Sequence, residues 1–275
     1  MTVLHLADAG EAADLAAFLA RLIHYDKAAA VRLQAGGGVL AVFGRPPSFE
    51  VLAIRTARLA GNGSREAGDS TPDAGEGTPG AGSGTPGAGN TAVDATVSAG
   101  ELLDGIEESA GVVTVPAAVT GPPWTGLLPP RGGWQRVPGL PAPEALVRAV
   151  AGAVAEFRAR DEALPPQHRT RSERDRIGRE IWSRTLGDTH LPLRAAHAAQ
   201  SLGFLRPVRA GALVGGGTSS GAADPGAAPQ PQLQPLSLLT AGGWLRLSTP
   251  YGSVAVRAGG PEGLTGLSGL TVTPA

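Results

Sequence analysis

The sequence contains no cysteine, which excludes disulfides, thiolate metal sites, iron–sulfur clusters and cysteine nucleophiles together. It contains a single lysine, Lys27. A Walker-type phosphate loop needs a lysine behind its glycines, and Lys27 is in the wrong setting, so phosphate-loop and kinase chemistry are excluded as well. Lys27 stands beside Asp26 and is expected to be a solvated, salt-bridged side chain. Aromatic residues make up only 4% of the chain, so a core has to lean on Leu, Val and Ala. No run approaches the roughly 18 apolar residues of a membrane helix. The first residues, MTVLHLADAGEAAD, are acidic where a secretion signal is basic. A soluble, cytoplasmic protein with no membrane partner is expected.

What the chain has in excess is glycine and proline, 41 and 24 of its 275 residues. Much of that excess sits in two tracts, 61–91 and 215–234. In the first, Thr71, Thr78 and Thr85 each open a Thr-Pro heptad. Proline and glycine in the repeat forbid a coiled coil, and neither tract has the apolar surface to offset its ordering entropy. Both are expected to be disordered insertions. The stretch Gly121–Pro143 is different: seven prolines and five glycines accompany Trp124 and Trp134. Fixed φ angles and missing amide donors bar it from a helix interior or a central strand, while its tryptophans favour an ordered loop packed on a core.

Around these tracts the periodicities predict regular elements. Leu15, Phe18, Leu19, Leu22 and Ile23 give a helix over 9–24, with Asp8 and Glu11 as a capping box. Residues 29–34 and 39–43 flank Gly36-Gly37-Gly38 as a hairpin, and 49–56 adds a strand. Val93–Val97 reads as a strand, and Ser98 with Glu101 caps a helix running to about Glu108. Val112–Val115 is a further strand. Pro143 opens a helix to about Ala163, and Thr170 with Glu173 caps another through Leu186. An alanine-rich helix follows over 192–202, then a strand over 205–214. A hairpin of Trp244–Thr249 and Gly252–Arg257 comes last.

The expected organisation is α+β: an N-terminal helix with a small antiparallel sheet, then three helices closed by a β-hairpin. A small α/β layer takes 1–60 and 92–120, the Pro/Trp loop 121–142, the helical region with its hairpin 143–258, and a loose tail 259–275. Helices followed by a hairpin is also the element order of a winged helix, in which Arg194 to Leu205 would be the recognition helix. Only Arg194, His197, Gln200 and Ser201 could read bases there.

Charge is distributed unevenly. Residues 1–110 carry seven basic and fourteen acidic side chains, net −7, and residues 144–260 carry fourteen arginines against nine acids, net +5. Such asymmetry marks either a polyanion-facing half or two halves that attract each other. Arg169, Arg171, Arg174, Arg176, Arg179 and Arg184 are interleaved with Glu173, Asp175 and Glu180. That pattern fits a solvated, salt-bridged helix face, the alternative being contact with nucleic acid or an acidic partner. Trp124, Arg131, Trp134 and Arg136 are the candidate partner-binding residues, because aromatic and arginine side chains dominate interface energetics. They can equally cap the core.

No enzyme constellation emerges. Gly82–Gly87 matches a dinucleotide-loop pattern and Gly217–Gly221 a nucleophile elbow, but neither has the flanking strand and helix its mechanism requires. His190 and His197 share a helix face only if that helix starts early, and they lack further ligands. An enzyme would have to assemble its site from scattered residues such as His24, Asp26, Arg131 and His190. No cofactor and no metal is expected. The leading expectation is a non-catalytic interaction or regulatory protein with a protein partner, followed by a winged-helix-like nucleic-acid binder. The Arg-rich, Lys-poor composition, with the segments Ile23–Gln34, Pro122–Val137 and Leu186–Leu205, resembles uncharacterised actinobacterial proteins. That resemblance implies no activity.

Overall fold

A computed structural model describes residues 2–61, 93–206 and 236–258. Nearly all of the tract 61–91, the whole of 215–234, the tail 259–275 and both glycine motifs lie outside the described residues. The chain divides into two compact units, one of Met1–Gly44 with Arg55–Gly126, the other of Arg45–Ile54 with Leu127–Ala275. The fold is α+β, with five helices among the described residues and antiparallel strand pairing in the sheets. The Pro/Trp loop is split between the units: Trp124 goes with the first, and Arg131, Trp134 and Arg136 with the second.

The first unit starts with strand β1 (Thr2–His5), which is too short for its alternation to register in the sequence. Helix α1 (Ala9–Tyr25) follows, and Asp8 caps it as expected by accepting the Glu11 amide at 2.9 Å. The apolar face buries Leu15, Phe18, Leu19 and Leu22, each side chain worth about 1.5–3 kcal/mol of transfer free energy. β2 (Ala30–Gly36) and β3 (Val39–Gly44) pair from Val31↔Gly44 to Gly36↔Val39. Only two residues, Gly37 and Gly38, make the turn, at φ of +60° and +77°. Those two left-handed conformations match the twist of a tight hairpin and disfavour most other residues.

The strand expected from Phe49 begins later, as β4 (Leu52–Arg58). Its Leu52–Ile54 segment belongs to the second unit and Arg55–Arg58 to the first. After β5 (Asp94–Ser98), the Ser98 hydroxyl accepts the Glu101 amide at 3.4 Å and opens α2 (Ala99–Asp104). This helix stops at Gly105 and not near Glu108. The Gly105 carbonyl is taken by the Thr114 amide at 2.8 Å, and a Cβ there would lie 2.5 Å from the Thr114 carbonyl oxygen. Cross-strand pairing thus captures Ile106–Glu107 as β6 against β7 (Val112–Val115), and β7 pairs with β1 on its other side. The remaining strands of this unit run in the order β5-β2-β3-β4.

The second unit contains β8 (Gln135–Val137), α3 (Pro143–Glu162), α4 (Arg171–Trp182), α5 (Leu193–Ser201), β9 (Ser237–Ala241), β10 (Trp244–Thr249) and β11 (Gly252–Arg257). Its strand order is β4-β11-β10-β9-β8. The hairpin over Trp244–Arg257 forms as expected. It is not a free wing, because β4 pairs with β11 on one side and β9 with β10 on the other. The periodicities give no expectation of β9. It reaches β10 through Gly242 and Gly243, both at positive φ. Among the described residues β8 is an edge strand, the place where a proline-flanked segment can join a sheet.

Two element boundaries of the second unit differ from expectation as well. α4 stops at Trp182 and not Leu186, because the Leu193 amide takes the Arg184 carbonyl at 2.7 Å and Thr185 bridges to Pro192. Leu205 lies in a turn and not in a strand, and the rest of the expected strand, from 207, is outside the described residues. Gly203, at φ +75°, reverses the chain, and the Phe204 amide returns to the Ala199 carbonyl at 2.7 Å. α5 buries Leu193, Ala195, Ala196, Ala198 and Ala199, mostly small side chains that allow close packing on α3 and β11. Little of it is left to read bases: Gln200 is exposed, Arg194 and Ser201 only partly so.

Candidate partner-binding face

Alternation along the strands sorts the second unit's sheet into two faces. Leu245, Leu247, Val254 and Val256 are buried on one, the face on which Phe204 meets Gly252. On the other, directly opposed residues share a side of the sheet, so the register aligns Arg136, Leu239, Arg246 and Ala255 across β8, β9, β10 and β11. The next row on this face pairs Ala241 with Trp244 and Trp244 with Arg257. Arginine and tryptophan therefore recur on this side of β10 and β11 where the other side carries aliphatics, and Trp244, Ser253 and Ala255 are buried there as well.

The arginines are held by aromatic contacts. The Arg246 guanidinium lies 5.6 Å from the Trp134 ring centre, and that of Arg257 lies 4.9 Å from the Trp244 ring centre. Both are cation–π distances. Trp134 is itself fixed, its indole N–H donating to the Pro130 carbonyl at 3.0 Å, so the Pro-Pro step of the loop sets the ring's position. Arg246 Nε donates to the Ser253 hydroxyl at 2.8 Å. Burial holds the Arg246 guanidinium below its ordinary pKa, although arginine stays charged at physiological pH. Among the described residues no carboxylate lies within ion-pair distance of Arg131, Arg136, Arg246 or Arg257.

The arginine-rich helix presents the opposite situation. Arg174 reaches Asp161 at 2.7 Å, Arg176 reaches Glu173 at 2.9 Å and Arg171 reaches Asp175 at 3.8 Å. Arg184 forms a fork with Glu156 and also approaches Glu180, while Arg160 bridges the same two acids. Hydrogen bonds from Arg184 and Arg160 hold the Glu156 and Glu180 carboxyls, respectively, below the usual glutamate range, and the Glu156 bond raises Arg184. Arg169 donates to the carbonyls of Leu164 and Glu162. Arg194 stands 3.9 Å from Glu50. Arg179 is exposed on α4. Acids of α3 and α4 thus neutralise much of the run that stands out in the sequence.

Trp124 is half-buried in a 3-10 turn of the first unit, Pro123–Gly126, so the sequence groups it with residues that fold into the other unit. The scattered residues are divided in the same way, His24 and Asp26 in the first unit, Arg131 and His190 in the second. Asp26 accepts the Ala28 amide at 3.0 Å, and Lys27, expected as its salt-bridge partner, is exposed without an ion pair among the described residues. His190 precedes α5, which starts only at Leu193, so His190 and His197 do not share a helix. Among the described residues no group of three or more His, Asp or Glu side chains is placed to hold a metal ion. No described helix is long and apolar enough to cross a membrane.

His197 lies between two rings, stacked on Trp182 at 4.3 Å and edge-on to Phe49 at 5.0 Å. Burial lowers its pKa from the ordinary 6.5. The unfolded chain therefore takes up the proton first as pH falls. Stability should be fully present above about pH 6.5 and decline below it, until the folded state also protonates. Unfolding titrations at pH values of about 7.5 and 5.5, on either side of the unperturbed histidine range, are expected to show a smaller acid loss for His197→Phe than for wild type. An equal loss would assign the acid sensitivity elsewhere.

Sequence reasoning reached Trp134 and Arg136 but missed Trp244, Arg246, Ser253 and Arg257. The strand alternation of the last hairpin carried the signal: Trp244, Arg246 and Ser248 fall on one side of β10, where a two-layer core would call for aliphatics. Residues 1–126 match the family model described as Domain of unknown function (DUF8010), and residues 129–261 match Domain of unknown function (DUF8185). No curated protein and no solved structure matches the chain. The junction between the two matches falls where the second unit's main segment begins, at Leu127. Two family models of unknown function thus match the chain one after the other, each over just under half of it.

Proposed function

We propose that this is a non-catalytic interaction protein whose second unit binds an anionic partner through the tryptophan–arginine face of its sheet. One observation carries the reading: Arg136, Arg246 and Arg257 share a face with Trp134 and Trp244, and no described carboxylate neutralises them. Buried or half-buried arginine is normally paired, and a positive, aromatic-lined surface left without acids is complementary to an acidic one. A protein partner is the first choice. A nucleic acid is the second reading, supported by the half-buried Trp134 ring, since bases stack on aromatic rings beside arginine. A cytoplasmic location belongs to the proposal, and so does an actinobacterial origin, supported by the arginine-for-lysine bias.

Two triple variants with equal charge change test the reading. Arg136→Ala/Arg246→Ala/Arg257→Ala should abolish binding to polyglutamate or duplex DNA at low salt, whichever anion the wild type prefers. Arg171→Ala/Arg174→Ala/Arg176→Ala, on the already neutralised α4, should leave that binding within about threefold, the scale of weak surface electrostatics. If the α4 variant loses binding and the sheet variant keeps it, the face is not the site.

A further inference from the structure

Within that face Arg246 differs from its neighbours. Arg136 and Arg257 are exposed, whereas Arg246 is half-buried at the centre of the sheet. Its guanidinium is fixed on two sides, by the Ser253 hydroxyl on Nε and by the Trp134 ring. Ser253 is itself buried, and its neighbour across the ladder is Ile54 of β4, so the hydroxyl is held by the sheet. Nε being used, Nη1 and Nη2 remain. Neither donates to a protein acceptor among the described residues. These two nitrogens form the end-on fork of the guanidinium, whose parallel N–H bonds match the two oxygens of one carboxylate.

We infer that Arg246 is a preorganised carboxylate receptor and that the partner presents an acidic protein segment to it. This inference rests on the proposed function above and narrows it. The charge is complementary, and the orientation is set before binding, so little rotamer entropy remains to be lost when the fork closes. Arg136 lies on the same row two strands away, roughly 9.5 Å between Cα atoms at normal strand spacing. A segment with two or more carboxylates can therefore engage both arginines at once. A phosphodiester also offers two free oxygens to such a fork, so a nucleic acid is the competing occupant.

The test titrates the full chain with a deca-glutamate peptide and with a ten-residue oligothymidylate, following tryptophan fluorescence. Wild type is expected to bind the peptide and to prefer it over the oligonucleotide. Arg246→Lys keeps the charge but not the fork, and should weaken the peptide about tenfold, the loss of one charge-assisted hydrogen bond. Ser253→Ala, which frees the guanidinium to rotate, should weaken it in the same direction by less. Matching circular dichroism and melting curves establish that the variants are folded. Peptide binding unchanged in Arg246→Lys overturns the receptor while leaving the face as the site. Binding of the oligonucleotide alone, lost in Arg136→Ala, overturns the acidic-segment inference and moves the function to its second reading. No binding of either probe by wild type at low salt overturns both.

Discussion

Arg55→Met is expected to destabilise the first unit by about 3 kcal/mol, the cost of breaking a buried ion pair from one side. Arg55 is only 7% exposed, although it carries a full charge. Its Nη2 donates to Glu11 at 3.2 Å and to Asp14 at 3.1 Å, one turn apart on α1. Glu11 also receives Arg58 Nε at 2.9 Å, and Asp8 receives Arg58 Nη2 at 3.2 Å. The first turn of α1 is thus tied to β4 by two arginines. Here the capping box of the sequence is only half realised: Asp8 caps the helix, while the Glu11 side chain turns to the arginines.

Removing Arg55 leaves the largely buried Glu11 carboxylate to Arg58. Adding Glu11→Gln removes the charge that Arg55 compensated, so the double variant should cost less than the sum of the singles. The expected coupling is about 1–3 kcal/mol in a double-mutant cycle by urea unfolding. Additivity within about 0.5 kcal/mol, the range found for independent sites, would mean that Arg55 acts by packing and not through the ion pair.

Gly252→Ala should cost about 2–3 kcal/mol in the second unit, through overpacking and backbone strain together. Gly252 has φ of +150°, and a Cβ there would lie 2.6 Å from two ring carbons of Phe204. The ring cannot withdraw easily: Phe204 is 3% exposed, and its amide is fastened to the end of α5 through the Ala199 carbonyl. Phe204→Leu in the Gly252→Ala background should restore part of the loss, because the shorter side chain vacates the space while the φ strain stays. A control at Gly243, where φ is +74° with no atom within 4 Å of an added Cβ, should show only the conformational cost, about 1 kcal/mol. Equal losses at the two positions would remove the Phe204 contact from the explanation.

These positions also show where local sequence is an adequate guide. The cap and apolar stripe of α1, the Gly37-Gly38 turn and the Trp244–Arg257 hairpin are set by interactions a few residues apart, and sequence patterns report such interactions directly. β1 and β6 carry no comparable pattern. They are strands because β7 pairs with both, and for β1 the pairing joins opposite ends of the first unit, Thr2 with Val115. The ends of α2 and α4 fall short of expectation for a related reason: beyond Gly105 and Trp182 the backbone is taken by pairing with distant or returning segments.

The candidate site divides along the same line. Trp134 and Arg136 stand out in the sequence because two such side chains in a proline-rich loop are unusual. Arg246 does not stand out, being one arginine in an ordinary hairpin strand. Conversely, the α4 arginines dominate the sequence and are largely neutralised in the structure by acids that include Asp161 and Glu156 of α3, which an i, i+4 count on one helix cannot reveal.

The exclusions of thiol chemistry and of lysine-dependent phosphate chemistry follow from the amino-acid sequence alone, as do the helices and hairpins built from neighbouring residues. Cysteine is absent, the one lysine follows no glycine loop, and interactions between residues a few positions apart are written into the local sequence. Which arginines meet an acid and which meet a tryptophan is settled by the packed fold and by nothing shorter in range. Charge compensation depends on distances of a few ångströms between residues far apart in the chain, and it takes the register of β8, β9, β10 and β11 to place Arg136, Arg246 and Arg257 on one face.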